Sequence, residues 1–129
     1  AALSNSGHKV EAAQRYLEAK ERYQAGSEGW ARATAWAFHM LAREECAEVV
    51  KPKWWSDEGL KALSARVVRV APNYVPANIM RGAVLSGAVG AWEPGPRSAA
   101  ELKGAATHFE RAAALCSAPA MKAQLAGVA

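Results

Sequence analysis

Three histidines, two cysteines and a short run of glutamates are the residues that could do chemistry. His8, His39 and His108 fall on separate segments. His39 and Cys46 are two helical turns apart on one predicted helix, which is not the spacing of a metal-ligand pair. Glu44, Glu45 and Glu48 follow His39 and read as solvated carboxylates within reach of Arg43 or Lys51. "GAVLSGAVG" has spaced glycines but lacks the Lys-Ser/Thr ending of a phosphate-binding loop. Cys46 and Cys116 sit on apolar-periodic stretches without a CxxC pattern, so each reads as a small buried hydrophobe. Their pairing stays open, with a reducing compartment favoured. No metal, cofactor or enzymatic constellation is expected from these residues.

The tryptophans are the other chemically distinctive group. Trp30 and Trp36 share one predicted helix but point to different faces, and Trp30 is expected in the core. Trp54 and Trp55 lie in a loop beside Lys51 and Lys53, and Trp92 lies in a second loop. Two readings compete for Trp54, Trp55 and Trp92. They fold back to close a hydrophobic seam, or they stand out as anchors for a partner.

What positions these residues is a helical chain. At 129 residues it is expected to form a single domain, residues 1–129, with a sizeable core. Hydrophobic residues make up 51%, but Ala carries much of that share, which favours helix over strand. No apolar run reaches the roughly 20 residues of a membrane span. No secretory pattern opens the chain, so a soluble intracellular protein is favoured. It lacks an initial Met, as a processed protein or a piece of a longer one would. The net charge of +4 is concentrated in residues 51–92, where Lys51, Lys53, Lys61, Arg66, Arg69 and Arg81 face only Asp57 and Glu58.

Local signals place the helices. The first, with Ala12, Tyr16, Ala19 and Tyr23 on one face, ends near Gly26. Ser27 caps a second that runs to just before Pro52. After the loop "KPKWW", Ser56 caps a third, with Asp57 and Glu58 in its first turn, ending near Ala71. The turn at Pro72-Asn73 leads into a fourth, from about Tyr74 to Gly90, with Pro76 in its opening turn. "AWEPGPRS" is a loop, and Ser98 caps a fifth helix carrying Leu102, Ala105, Phe109, Ala112 and Leu115 on one stripe. A sixth starts near Ala118, with Met121, Leu125 and Val128.

Three segments align as a loose internal repeat. Tyr16, Ser64 and Phe109 share one column, and Ala19, Val67 and Ala112 share another. Gln24, Pro72 and Ser117 mark the turn, Trp30, Asn78 and Ala123 follow, and Thr34, Gly82 and Gly127 close the unit. This order of small, aromatic, small and turn residues resembles the tetratricopeptide (TPR) pattern. Ala12-Tyr16-Ala19 and Ala105-Phe109-Ala112 match it best, and Pro72 and Gly82 match it in the middle unit. Leu60 and Ser64 depart from it, and the two loops lengthen each repeat. The resemblance implies an all-α fold of antiparallel helical hairpins, stacked as a short solenoid of about six helices.

The same resemblance implies a concave groove lined by Glu28, Ala31, Ala35, Phe38 and His39, then Ile79, Ala83 and Ser86, then Gln124. The alternative is that the inserted loops fill the groove, with Phe38 and Ile79 packing under Trp54 or Trp92. The two-carboxylate clamp of the family's peptide-binding subclass is missing from these positions. The implied function is a non-enzymatic scaffold for a protein or peptide partner, within a larger complex or alone. The competing reading is an RNA-binding helical repeat that uses the basic region 51–81 with Trp54 and Trp55.

Overall fold

The computed structural model describes residues 5–117, and these form five α-helices with no strand among the described residues. They are α1 (Asn5–Arg22), α2 (Glu28–Leu41), α3 (Asp57–Val70), α4 (Val75–Ser86) and α5 (Ala99–Ser117). The expected sixth helix and Gln124 lie outside the described residues.

The capping signals act where the residue types place them. Ser27 Oγ accepts from Trp30 N at 3.2 Å, and Ser56 Oγ accepts from Gly59 N at 3.0 Å. Ser98 and Glu101 form a reciprocal capping box: Glu101 N donates to Ser98 Oγ at 3.0 Å, and Ser98 N donates to Glu101 Oε1 at 2.9 Å. Gly26 falls in the α1–α2 turn with a positive φ, four residues beyond the end of α1.

Three helix ends differ from expectation. The first helix stops at Arg22, short of Gly26. The second helix stops at Leu41 instead of continuing to Pro52, and a single 3-10 turn, Glu44–Cys46, follows it. Arg43 is extended, and the Lys51 ammonium donates to Cys46 O and Val49 O at 2.6 and 2.9 Å. Those bonds hold the segment folded back on itself, so the apolar period through Val49 and Val50 does not extend the helix. His39 and Cys46 therefore share no helical face. The fourth helix stops at Ser86, because Gly87 takes a left-handed conformation and closes its last turn onto Ala83 O.

Residue contacts set the directions of neighbouring helices. Along α1 and α2 the Tyr23 ring lies against Gly29, Tyr16 stacks on Trp36 at 5.9 Å, and Ala13 joins Leu41 in one apolar cluster. Rising numbers on one helix meet falling numbers on the other, so the pair is antiparallel. The α4–α5 pair is antiparallel too, with Gly104 beside Leu85, Phe109 beside Gly82, and His108 Nδ1 3.0 Å from Asn78 Oδ1.

The turn between α3 and α4 is tied from both sides. Asn78 Nδ2 donates to Pro72 O and Tyr74 O at 3.0 and 3.1 Å, and Arg111 Nε of α5 donates to Pro72 O at 2.8 Å. The main core joins Trp30, Ala31, Ala35 and Phe38 of α2 with Leu60 and Val67 of α3 and Ala77, Met80, Ala83 and Val84 of α4. Ala31, Ala35, Ala77 and Ala83 let helix axes come close within it.

Candidate functional site

The two loops that lengthen the expected repeat meet over α2. Trp55 and Trp92 both pack on Phe38, with ring centroids 5.5 and 6.0 Å away, and lie 6.0 Å from each other. Trp54 adjoins Trp55 at 5.7 Å. The indole N–H groups are satisfied across the loops: Trp55 Nε1 donates to Ala91 O at 3.0 Å, and Trp92 Nε1 to Asp57 Oδ1 at 3.1 Å.

Asp57 and Arg97 fasten this arrangement. The Arg97 guanidinium makes a bidentate pair with the Asp57 carboxylate and also donates to Val84 O and Leu85 O, the free carbonyls near the end of α4. Gly95 N adds a further donor to Asp57 Oδ2 at 3.0 Å. The Arg97 guanidinium holds the Asp57 carboxyl far below the usual range, with Gly95 N and Trp92 assisting against the opposing effect of burial.

This closure decides where the expected groove residues lie. Ala31, Ala35 and Phe38 belong to the buried core, with Phe38 1% exposed beneath Trp55 and Trp92. Ala83 is buried as well. His39 is half-buried; its Nε2 lies 2.9 Å from Pro76 O, so it donates there. Burial lowers the His39 pKa, favouring the neutral ring. Glu28 is exposed and pairs with Arg32 at 2.8 Å. Ile79 stays 37% exposed, and Ser86 Oγ donates to Ala83 O at the end of α4. The structure therefore brings Phe38, Trp55 and Trp92 together as a packed cluster, while Glu28, Ile79 and Ser86 remain at the surface.

The basic region is partly spent inside the protein. Lys61 pairs with Glu101 at 2.7 Å and approaches Asp57 at 3.6 Å. Lys61 holds the Glu101 carboxyl down to about 2, with the Ser98 N–H assisting. Arg81 donates to Lys61 O and Ser64 Oγ. Lys53, Arg66 and Arg69 make no ion pair among the described residues.

A second aromatic group was not foreseen from the sequence. Tyr16, Tyr23, Gly29, Arg32, Ala33 and Trp36 line a shallow apolar cleft of about 200 Å³ between α1 and α2. Trp36 Nε1 donates to Tyr74 OH at 2.6 Å, and the Arg32 guanidinium lies 4.9 Å from the Tyr74 ring centroid. Tyr23 is 51% exposed at the cleft's end. Its available signal was the spacing of Tyr16 and Tyr23, which placed both on one face of α1. Nothing local linked them to Trp36 or Tyr74.

The thiol of Cys46 is buried and pushed up by that burial, so it is held as the neutral thiol. Among the described residues no three His, Cys, Asp or Glu side chains gather as metal ligands. What the surface offers is binding area: an aromatic cleft, the exposed apolar side chains of Ile79, Leu102 and Phe109, and cations without an ion pair among the described residues. Among known proteins the chain matches no family model, no curated protein and no solved structure.

Proposed function

We propose that the chain is a non-enzymatic interaction scaffold built as a short, TPR-like stack of helical hairpins. The observation that carries this reading is the order of helix contacts. α1 packs on α2, α2 on α3 and α4, α3 on α4, and α4 on α5. Each helix meets its chain neighbours, with one further pairing between the alternate helices α2 and α4. An open, one-dimensional stack is organised this way, and such stacks offer long surfaces to partners.

With the α2 face closed by Trp55 and Trp92, the partner surface of this scaffold is the α1–α2 cleft. Tyr, Trp and Arg line it, the residue types that dominate binding hot spots. Tyr23 and Arg32 are exposed there, and Trp36 is held rigid by Tyr16 and Tyr74. Rigid aromatics lose little conformational freedom on binding.

The test compares partner capture from the native extract by the wild-type chain and by Tyr23→Glu, with melting curves for both. The reading expects Tyr23→Glu to melt like wild type and to lose the captured partner. Undiminished capture by a folded Tyr23→Glu chain overturns the assignment of the cleft.

A further inference from the structure

Trp30 is the meeting point of two cations. Lys20 Nζ of α1 lies 5.7 Å from the Trp30 ring centroid, and the Arg66 guanidinium of α3 lies 4.7 Å from it. Lys20 also lies 5.7 Å from the Trp54 ring centroid, so its ammonium sits between two indoles. Arg66 is placed a second time by the α1–α2 turn, where a Cβ on Gly26 would come 3.1 Å from Nη2. Three separate elements thus bring two positive charges onto one buried indole, which is 3% exposed.

Neither charge is neutralised among the described residues. Lys20 and Arg66 make no ion pair among the described residues, and neither has a carboxylate three or four positions away on its own helix. Lys53 adjoins Trp54 in the chain, and Arg69 follows Arg66 by one turn; both are exposed and equally unpaired. Cation–π contact holds each cation in place, but it leaves their mutual repulsion and their N–H donors uncompensated. Carboxylates brought to the two cations relieve the repulsion and accept from their N–H donors.

We infer that Lys20 and Arg66, seated on Trp30 and Trp54, form a docking site for a carboxylate-rich segment of a partner protein. The charge selects an acidic partner, and the geometry favours a peptide over a nucleic acid. Single-stranded nucleic acids are held by open aromatic faces on which bases stack. Here Trp30 is buried and Lys20 lies over Trp54, so the site offers charge without a stacking platform. It shares no residue with the Tyr16–Tyr23 cleft, so its test stands whether or not that cleft binds a partner.

The experiment titrates the wild-type chain with a labelled Asp/Glu-rich peptide, with its Asn/Gln counterpart, and with a single-stranded RNA oligonucleotide. The variants are the pair Lys20→Gln with Arg66→Gln, and a control pair of equal charge change, Arg43→Gln with Lys103→Gln. The acidic peptide is expected to bind and its Asn/Gln counterpart to fail. Affinity is expected to fall about tenfold or more in the first pair, against less than about twofold in the control. Equal losses in both pairs, no binding of the acidic peptide, or tighter binding of the RNA overturns the site. Should the first pair fail to fold, the indole N–H resonances of the wild-type chain decide. The largest shifts on Trp30 and Trp54 support the site, and shifts confined to other tryptophans contradict it.

Discussion

Asp57 and Arg97 meet as a nearly buried ion pair, 2.6 and 2.9 Å between their atoms, and so join the first turn of α3 to the loop that precedes α5. Removing one partner strands the other charge, together with the α4 carbonyls that Arg97 satisfies. Arg97→Leu is expected to lower stability by about 3–5 kcal/mol, read from denaturant unfolding. The pair also sets an acid limit. Asp57 is held below its ordinary value of 3.8, so its stabilisation is present above about pH 4 and is lost as pH falls toward the lowered value. Glu101, held to about 2 by Lys61, acts in the same direction. Asp57→Asn is expected to be less stable near neutrality and to have a flatter melting profile between pH 5 and 2; equal slopes for variant and wild type would count against the clasp.

A separate pH window belongs to the histidines. His39 is lowered from 6.5 by burial, and His108 by burial and by Arg81 and Arg111. Both are therefore neutral in the folded chain at pH values where the unfolded chain is already protonated. Stability is expected to fall as pH drops below about 6.5, before the carboxylates respond. Melting temperatures of wild type, His39→Gln and His108→Gln between pH 7.5 and 5.5 check this, with the smaller slopes expected in the variants.

Gly82 and Phe109 form a close α4–α5 contact, in which a Cβ on Gly82 would lie 2.8 Å from the Phe109 ring. Gly82→Leu is expected to cost about 1–3 kcal/mol through overpacking. Phe109 is 41% exposed, although its place on the predicted stripe suggested a core ring. Truncating it is expected to cost less than the roughly 3–5 kcal/mol of a fully buried Phe. A double-mutant cycle of Gly82→Leu with Phe109→Ala should show relief of the clash, and strict additivity would place the two apart.

Phe38 and Ile79 were both expected on the groove, or else both under the loop tryptophans, and the structure buries Phe38 while Ile79 stays 37% exposed. Phe38→Ala should destabilise by about 3–5 kcal/mol, because its ring lies beneath Trp55 and Trp92. Ile79→Ser should melt close to wild type, since Ile79 remains at the surface. Similar melting of the two variants would contradict the packed aromatic cluster.

The features legible in the sequence are those set by nearby residues. Ser27, Ser56 and Ser98 mark helix starts with their own side chains, and Pro72 and Pro76 mark the α3–α4 turn. The end of α2 was hidden, because Cys46, Val49 and Val50 continue an apolar period while Lys51 bonds back to the carbonyls of Cys46 and Val49. An open groove and one filled by the loops look alike in the sequence for a related reason. Ala31 and Ala35 suit an open ligand face and a tight helix contact equally well, and only the tertiary packing decides between them. Asp57–Arg97, Trp55–Ala91 and Lys20–Trp30–Arg66 each join segments far apart in the chain, so no periodicity announces them.

The proposed function is that of a scaffold whose α1–α2 cleft receives a protein partner. Amide hydrogen exchange of the chain alone and with its captured partner tests this most directly. The predicted result is added protection across the cleft-lining segments, residues 16–23 and 29–36, while the Trp55–Trp92 cluster keeps the protection it has in the free chain. Protection gained only in the loops around Trp54, Trp55 and Trp92, with 16–23 and 29–36 unchanged, would contradict the account.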